Sequence, residues 1–220
     1  MTRKITTALA LLLVAATATP ALAAKPPKPP KPPNPAPPAP GQLTLTASAG
    51  VIVFGENSTL TANLAGLPQV ADQEIGLRQA PFPFTRFRDL ATARTDAAGN
   101  AAFTVTPTAN TRYVALAKST NPNTTSAEID VLVKFRVSIR VGRTSITGNA
   151  SPASDGAPVQ LQKKVRGGYR TVKTGRLFDA GADRSQYRFK RPGRGGVYRI
   201  RVPADPDNLT GTSSAKRISG

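Results

Sequence analysis

From residue 43 onward, apolar residues recur at every second position in short runs, which Gly, Pro, Asn and Asp interrupt at intervals of about 8 to 12 residues. Leu43 and Leu45 open the pattern. Leu60, Ala62 and Leu64 follow, then Ile75 and Leu77, Phe103 and Val105, Tyr113, Ala115 and Ala117, and finally Ile129, Val131 and Val133. A further series begins at once. Phe135, Val137, Ile139 and Val141 point one way while Lys134, Arg136, Ser138 and Arg140 point the other, because successive strand side chains alternate between faces. Val159, Leu161 and Val165 come next, then Tyr187 and Phe189, then Tyr198, Ile200 and Val202. No helical stripe of useful length interrupts the period of two, so the chain predicts an all-β fold of antiparallel sandwiches.

The second series echoes the first at a lag of about 85 residues. Ile75-Gly76-Leu77 reappears as Val159-Gln160-Leu161, Thr95-Asp96-Ala97-Ala98-Gly99 as Phe178-Asp179-Ala180-Gly181, and Thr111-Arg112-Tyr113 as Gly196-Val197-Tyr198. Identity is sparse and the match is one of pattern. Two tandem sandwiches are expected, over residues 41–133 and 134–220, joined near Val133 with almost no linker to let them reorient.

Residues 1–40 read differently. Arg3 and Lys4 precede the apolar run Ala8 to Ala16, and Ala21-Leu22-Ala23 offers small residues for cleavage, so residues 1–23 predict an export signal and a mature chain beginning at Ala24. Thr17, Thr19 and Pro20 cut the run short of a bilayer span, and no later segment is long and apolar enough to be one. Residues 24–40 form a Pro/Lys-rich linker expected as an extended polyproline helix, with Lys25, Lys28 and Lys31 along one edge. It reads as a stiff spacer or as a cationic stripe for an anionic polymer. Cysteine is absent, so each sandwich rests on its own apolar core and no disulfide or Cys-borne lipid anchor is available. No anchor or further module is expected after Gly220. The address is secreted, with loose association to the cell wall.

Several segments resemble a known group. Gln79-Ala80-Pro81-Phe82-Pro83-Phe84-Thr85-Arg86-Phe87, the turn Thr95-Asp96-Ala97-Ala98-Gly99, Pro107-Thr108-Ala109-Asn110-Thr111-Arg112-Tyr113 and Ser126 before Ile129 resemble the Ig-like β-sandwich repeats of secreted actinobacterial proteins. In the second copy, Gly196-Val197-Tyr198-Arg199-Ile200-Arg201-Val202 and Ser213-Ser214 carry the likeness. The resemblance spans residues 41–220. It implies tandem Ig-like domains in a spacer, adhesion or ligand-binding role, and no catalytic residue.

Charge separates the copies. Residues 41–133 hold 6 basic and 7 acidic side chains, whereas residues 134–220 hold 19 and 5. The basic positions are regular. Lys163, Lys164 and Arg166 precede the turn Gly167-Gly168, and Arg170, Lys173 and Arg176 follow it, so one hairpin carries six. Arg188 and Lys190 flank Phe189, Arg191 and Arg194 bracket Pro192-Gly193, and Arg199 and Arg201 flank Ile200. Alternation predicts that the strand cations gather on one outward sheet face. Such a face either keeps the domain soluble and guards its edges or draws a polyanion. Mixed signs serve solubility better than same-sign crowding, which favours the polyanion.

Other chemistry is thin. Histidine, cysteine and tryptophan are missing, which removes Ser-His-Asp and Cys-His catalysis and the usual zinc sites. No pair of acids suggests hydrolysis. Asp205-Pro206-Asp207-Asn208 has oxygen ligands at alternate positions but lacks the glycine and distal glutamate of a helix-loop-helix calcium site, so it reads as a turn. No metal or cofactor is expected. Phe82, Phe84 and Phe87, with Arg86 and Arg88, form either an aromatic contact surface or, for at least two rings, a cap on the open end of the sandwich. The resulting expectation is a non-catalytic exported module that associates electrostatically with anionic cell-envelope polymer: a phosphate-rich wall glycan, an acidic polysaccharide or an anionic lipid surface. Nucleic acid outside the cell is the alternative partner, and an enzyme of unknown type the third reading.

Overall fold

The computed structural model describes residues 41–118 and 123–219. The expected signal and linker, with Lys25, Lys28 and Lys31, lie outside the described residues.

The first copy contains β1 (Gln42–Ala47), β2 (Val51–Val53), β3 (Ser58–Ala65), β4 (Glu74–Pro81), β5 (Arg88–Arg94), β6 (Asn100–Val105), β7 (Thr111–Ala117), β8 (Thr124–Thr125) and β9 (Ile129–Lys134). One sheet runs β1-β3-β6 and the other β2-β9-β7-β4-β5, with β8 beside β7. Their alternating apolar side chains meet in one cluster that includes Leu60, Leu64, Ile75, Leu77, Phe103 and Tyr113. The second copy contains β10 (Arg136–Val137), β11 (Arg140–Val141), β12 (Ser145–Ser151), β13 (Pro158–Val165), β14 (Gly168–Arg176), β15 (Phe178–Asp179), β16 (Ser185–Lys190), β17 (Gly196–Val202), β18 (Gly211–Thr212) and β19 (Lys216–Ile218). Its sheets run β10-β12-β16-β15, with β11 also on β12, and β14-β13-β17-β18, with β19 also on β17. A separate cluster, including Phe135, Leu161, Tyr187, Phe189, Tyr198 and Ile200, fills the space between them. No helix occurs among the described residues. Two sheets that exchange strands out of chain order over a shared apolar layer are the Ig-like sandwich arrangement, present twice.

The repeat extends to single hydrogen bonds. The buried Ser126 accepts from Ala115 N at 3.0 Å through Oγ and donates to Ala127 O at 2.8 Å. Ser213 does the same in the second copy, accepting from Ile200 N at 2.9 Å and donating to Ser214 O at 2.8 Å. Ser48 Oγ receives Thr59 N and Ser138 Oγ receives Asn149 N, both at 2.9 Å, where the first strand of each copy kinks. Asp96 Oδ1 accepts from Ala98 N and Asn100 N at 2.9 Å, and the Asn100 contact above all holds its carboxyl below the usual range. Gly99 closes that turn at φ +82°, where an added Cβ would strike Leu64 O. Asp179 plays the same part, accepting from Gly181 N at 2.7 Å.

The copies differ at their first strands. In the first, β1 lies on β3 and the chain then crosses to the other sheet, where β2 pairs in parallel with β9, matching Val51 to Leu132 and Val53 to Lys134. In the second, β10 and β11 both stay on β12. Between the two copies, Asn110 N donates to Asp207 O at 2.7 Å, Asn110 Nδ2 to Pro206 O at 3.3 Å, and Asn208 Nδ2 to Thr108 O at 3.2 Å. Asn110 Oδ1 also accepts from Val133 N at 2.9 Å, so the chain between the cores is stapled on both sides.

One core expectation fails. Val165 is 44% exposed, because β13 and β14 extend past the opposing sheet and their tip has nothing to pack on.

Candidate anion-binding surface

The hairpin of β13 and β14 places six cations on a two-residue turn and its two legs. Lys163 and Lys164 lie on β13, Arg166 in the turn before Gly167 at φ +85°, and Arg170, Lys173 and Arg176 on β14. Cross-strand partners share a face, and the register pairs Leu161 with Lys173 and Lys163 with both Arg170 and the core ring Tyr198. Lys163, Arg170 and Lys173 therefore belong to the inward register, where the overhang leaves Arg170 and Lys173 exposed. Lys163 is half-buried, its Nζ 5.6 Å from the centre of the Tyr198 ring. Lys164 pairs with Tyr169 and Arg176 with Pro158 on the outward register.

The expected gathering of strand cations on one face does not occur. Arg188 and Lys190 project from β16, opposite Thr147 and Ser145 of β12. Arg199 and Arg201 project from β17, opposite Gln162 and Gln160 of β13. These strands belong to the two different sheets of the sandwich, so the two pairs look in opposite directions. Arg140 joins Arg188 on the first face, across Thr147. Arg191 and Arg194 sit in the β16–β17 connection, where Arg191 donates to Gly142 O and Ser219 O at 3.2 and 3.1 Å, and Arg194 O accepts from Tyr198 Oη at 2.8 Å.

Among the described residues, none of these twelve cations has a carboxylate partner. Among the described residues there are six ion-pair contacts, five inside the first copy, such as Arg112 to Asp130 at 2.8 Å and Arg94 to Asp72 at 3.1 Å. The sixth, Arg136 to Glu56 at 4.0 Å, reaches from the second copy to the first. Asp179 and Asp205 of the second copy are spent on turns, and Asp155 accepts from the Ser185 hydroxyl. Asp205 Oδ1 accepts from Asn208 N at 2.7 Å and Asp207 N at 3.0 Å, while its Oδ2 accepts from Ser154 Oγ at 3.2 Å.

Sequence reasoning missed the neutral partners of the arginines. On the outer face of β14-β13-β17, Arg199 Nε donates to Gln162 Oε1 at 2.9 Å and its guanidinium lies 3.8 Å from the centre of the Tyr169 ring. Arg201 donates to Gln160 Oε1 at 3.1 Å and to Thr210 Oγ1 at 3.4 Å. Thr171 links the two amides, 3.3 Å from Gln162 Nε2 and 3.4 Å from Gln160 Oε1. The signal was the alternation Gln160-x-Gln162 facing Arg199-x-Arg201, which is legible only once the register is known.

In the first copy, Phe82, Phe84 and Phe87 do not close the sandwich, and none enters the core cluster. Phe82 is exposed and meets Phe84 edge to face at 5.5 Å, and the Arg112 guanidinium covers the Phe84 ring at 4.7 Å. The stretch leaves β4 and stacks on itself, with Phe82 against Phe84 and Arg112 over Phe84. Nearby, a groove of roughly 580 Å³ opens between the sheet edges β5 and β6, lined by Leu77, Leu90, Phe103, Val105 and Tyr113.

No protein-family model and no curated protein matches the chain. Among solved structures the chain is similar to the D0-D1 domain of intimin at 12% identity and a TM-score of 0.34, over 82% of this chain and 100% of that one.

Proposed function

We propose that this protein is an exported, non-catalytic pair of Ig-like sandwiches whose second copy associates electrostatically with anionic cell-envelope polymer, in an adhesive, spacer or structural role. The observation that carries the reading is that the twelve cations named above have no carboxylate partner among the described residues, beside a first copy in which Arg78, Arg94 and Arg112 are paired. Same-sign crowding destabilises a fold by self-repulsion, and a polyanion removes that cost while gaining from counterion release. The export signal read in residues 1–23 supplies the address, and the lack of His and Cys in the sequence argues against the common catalytic groups.

The test is retention of the full chain on immobilised polyanion over a salt series. Affinity is expected to fall log-linearly, by orders of magnitude between about 50 and 200 mM salt for a complex of many contacts. Changing Arg188, Lys190, Arg199 and Arg201 together to glutamine should abolish retention with folding intact. Binding indifferent to salt, or unchanged in that variant, would reject the mechanism and turn attention to Phe82–Phe87.

A further inference from the structure

The arginines of β17 are held in place by side chains of the neighbouring strand β13, whereas Arg176 and Arg191 are held chiefly by backbone carbonyls of connections. Arg199 and Arg201 are half-buried, and each is fixed by a neutral oxygen: Gln162 Oε1 for one, Gln160 Oε1 and Thr210 Oγ1 for the other. An amide carbonyl orients a guanidinium without cancelling its charge, whereas a carboxylate does both. Of the five N–H donors of a guanidinium, Arg199 directs only Nε–H to an acceptor among the described residues. Its fork therefore remains available. The alternate positions 199 and 201 set the two groups about 7 Å apart along the strand. Around them, Thr171, Gln160 and Gln162 add a row of amide and hydroxyl groups, linked to one another and fixed by the register.

We propose that this face is a binding strip for a linear acidic polysaccharide, with Arg199 and Arg201 each gripping an oxyanion substituent, Gln160 and Thr171 pairing with sugar hydroxyls, and the buried Gln162 holding Arg199 from beneath. The assignment rests on the polyanion reading above and narrows it to one sheet and one polymer class. Single-stranded nucleic acid fits less well, since its binders offer open rings for bases to stack on. Tyr169 is the aromatic side chain of this face, and the Arg199 guanidinium already occupies one side of its ring. Preorganised donors also spare the polymer the cost of ordering long side chains at each contact.

The experiment uses the full chain with polygalacturonate, single-stranded poly(dT) and inorganic polyphosphate, and two double variants. R199K/R201K keeps the net charge and removes the planar forks. R188Q/K190Q removes two charges from the opposite sheet. The expected result is preference for polygalacturonate, a loss of about tenfold or more in R199K/R201K, as befits the loss of a charge-assisted bidentate contact at Arg199 and an oriented one at Arg201, and a smaller loss in R188Q/K190Q. If R199K/R201K binds like the parent while R188Q/K190Q is weakened in step with its charge, the strip is overturned and the general polyanion reading survives. Preference for poly(dT) or polyphosphate overturns the polysaccharide assignment. Failure of the parent to bind any of the three at low salt overturns both readings. Thermal unfolding of each variant, and Tyr169→Phe as a conservative control that retains the ring under Arg199, guard against loss of fold.

Discussion

Tyr113 and Tyr198 occupy equivalent places on β7 and β17, and both are buried, yet their hydroxyls have different fates. Tyr198 Oη donates to Arg194 O, while Tyr113 Oη makes no hydrogen bond of normal geometry, and Thr111 beside it donates its own hydroxyl to Ala109 O at 2.7 Å. Truncating either ring to alanine should cost about 3 to 5 kcal/mol in chemical denaturation. The phenylalanine variants should part company. Tyr198→Phe loses a bond and about 1 kcal/mol, whereas Tyr113→Phe is neutral or stabilising because an unsatisfied hydroxyl leaves the core. Equal losses in the two phenylalanine variants would contradict the difference. Burial pushes the Tyr113 phenol up from 10 to about 12. A raised pKa in the folded state means that stability is intact below pH 10 and drains away between about 10 and 12, a loss that Tyr113→Phe should blunt. The rings were legible in the sequence, since period-two alternation marks inward positions. The hydroxyl partners were not, because they come from connections such as Arg194 whose course alternation does not describe.

At the scale of elements, the buried serine beside each β7 or β17 is the most exact repeat. Ser126→Ala and Ser213→Ala each deprive a buried backbone N–H of its side-chain acceptor, so each should cost about 1 to 3 kcal/mol, and by similar amounts. Urea unfolding of the two single variants checks this, and a serious cost in only one would break the equivalence. Strand existence and the in-or-out sense of Arg188, Lys190, Arg199 and Arg201 could be read from alternation. Which sheet each strand joins could not. Outward on β16 and outward on β17 are opposite directions, because the two strands sit in facing sheets. The same blindness hid the overhang of β13 and β14, where Val165 and Lys173 follow the inward register with no sheet across from them. It also hid the Gln160 and Gln162 row, whose residue types are unremarkable until the strand carrying arginines is known to lie beside them.

For the whole molecule, the contrast between a paired first copy and an unpaired second one was legible as net charge, but the staple between them was not. Asn110 and Asn208 were loop residues in the sequence, separated by nearly a hundred positions. In the fold both are buried, and they crosslink the copies in both directions. Their hydrogen bonds should make the two sandwiches unfold together. Changing both to alanine leaves Thr108 O, Pro206 O and Val133 N short of partners, and a single calorimetric transition should then split into two. Retention of one sharp transition in the double variant would show that other contacts couple the copies.

The parallel pairing of β2 with β9 has a mechanical meaning. Once β1 has been drawn off β3, pulling the chain apart at residues 51 and 134 slides these two strands past each other, so the bonds that match Val51, Ile52 and Val53 to Leu132, Val133 and Lys134 bear load at the same instant. A ladder loaded in shear fails as a unit, while one loaded at an end opens bond by bond. The second sandwich keeps its opening strands on β12 and lacks such a clamp. Under tension it is expected to give way first, so the copy that carries the cations is also the one that force would deform, and stretching single molecules of the full chain should show a weaker unfolding event before a stronger one.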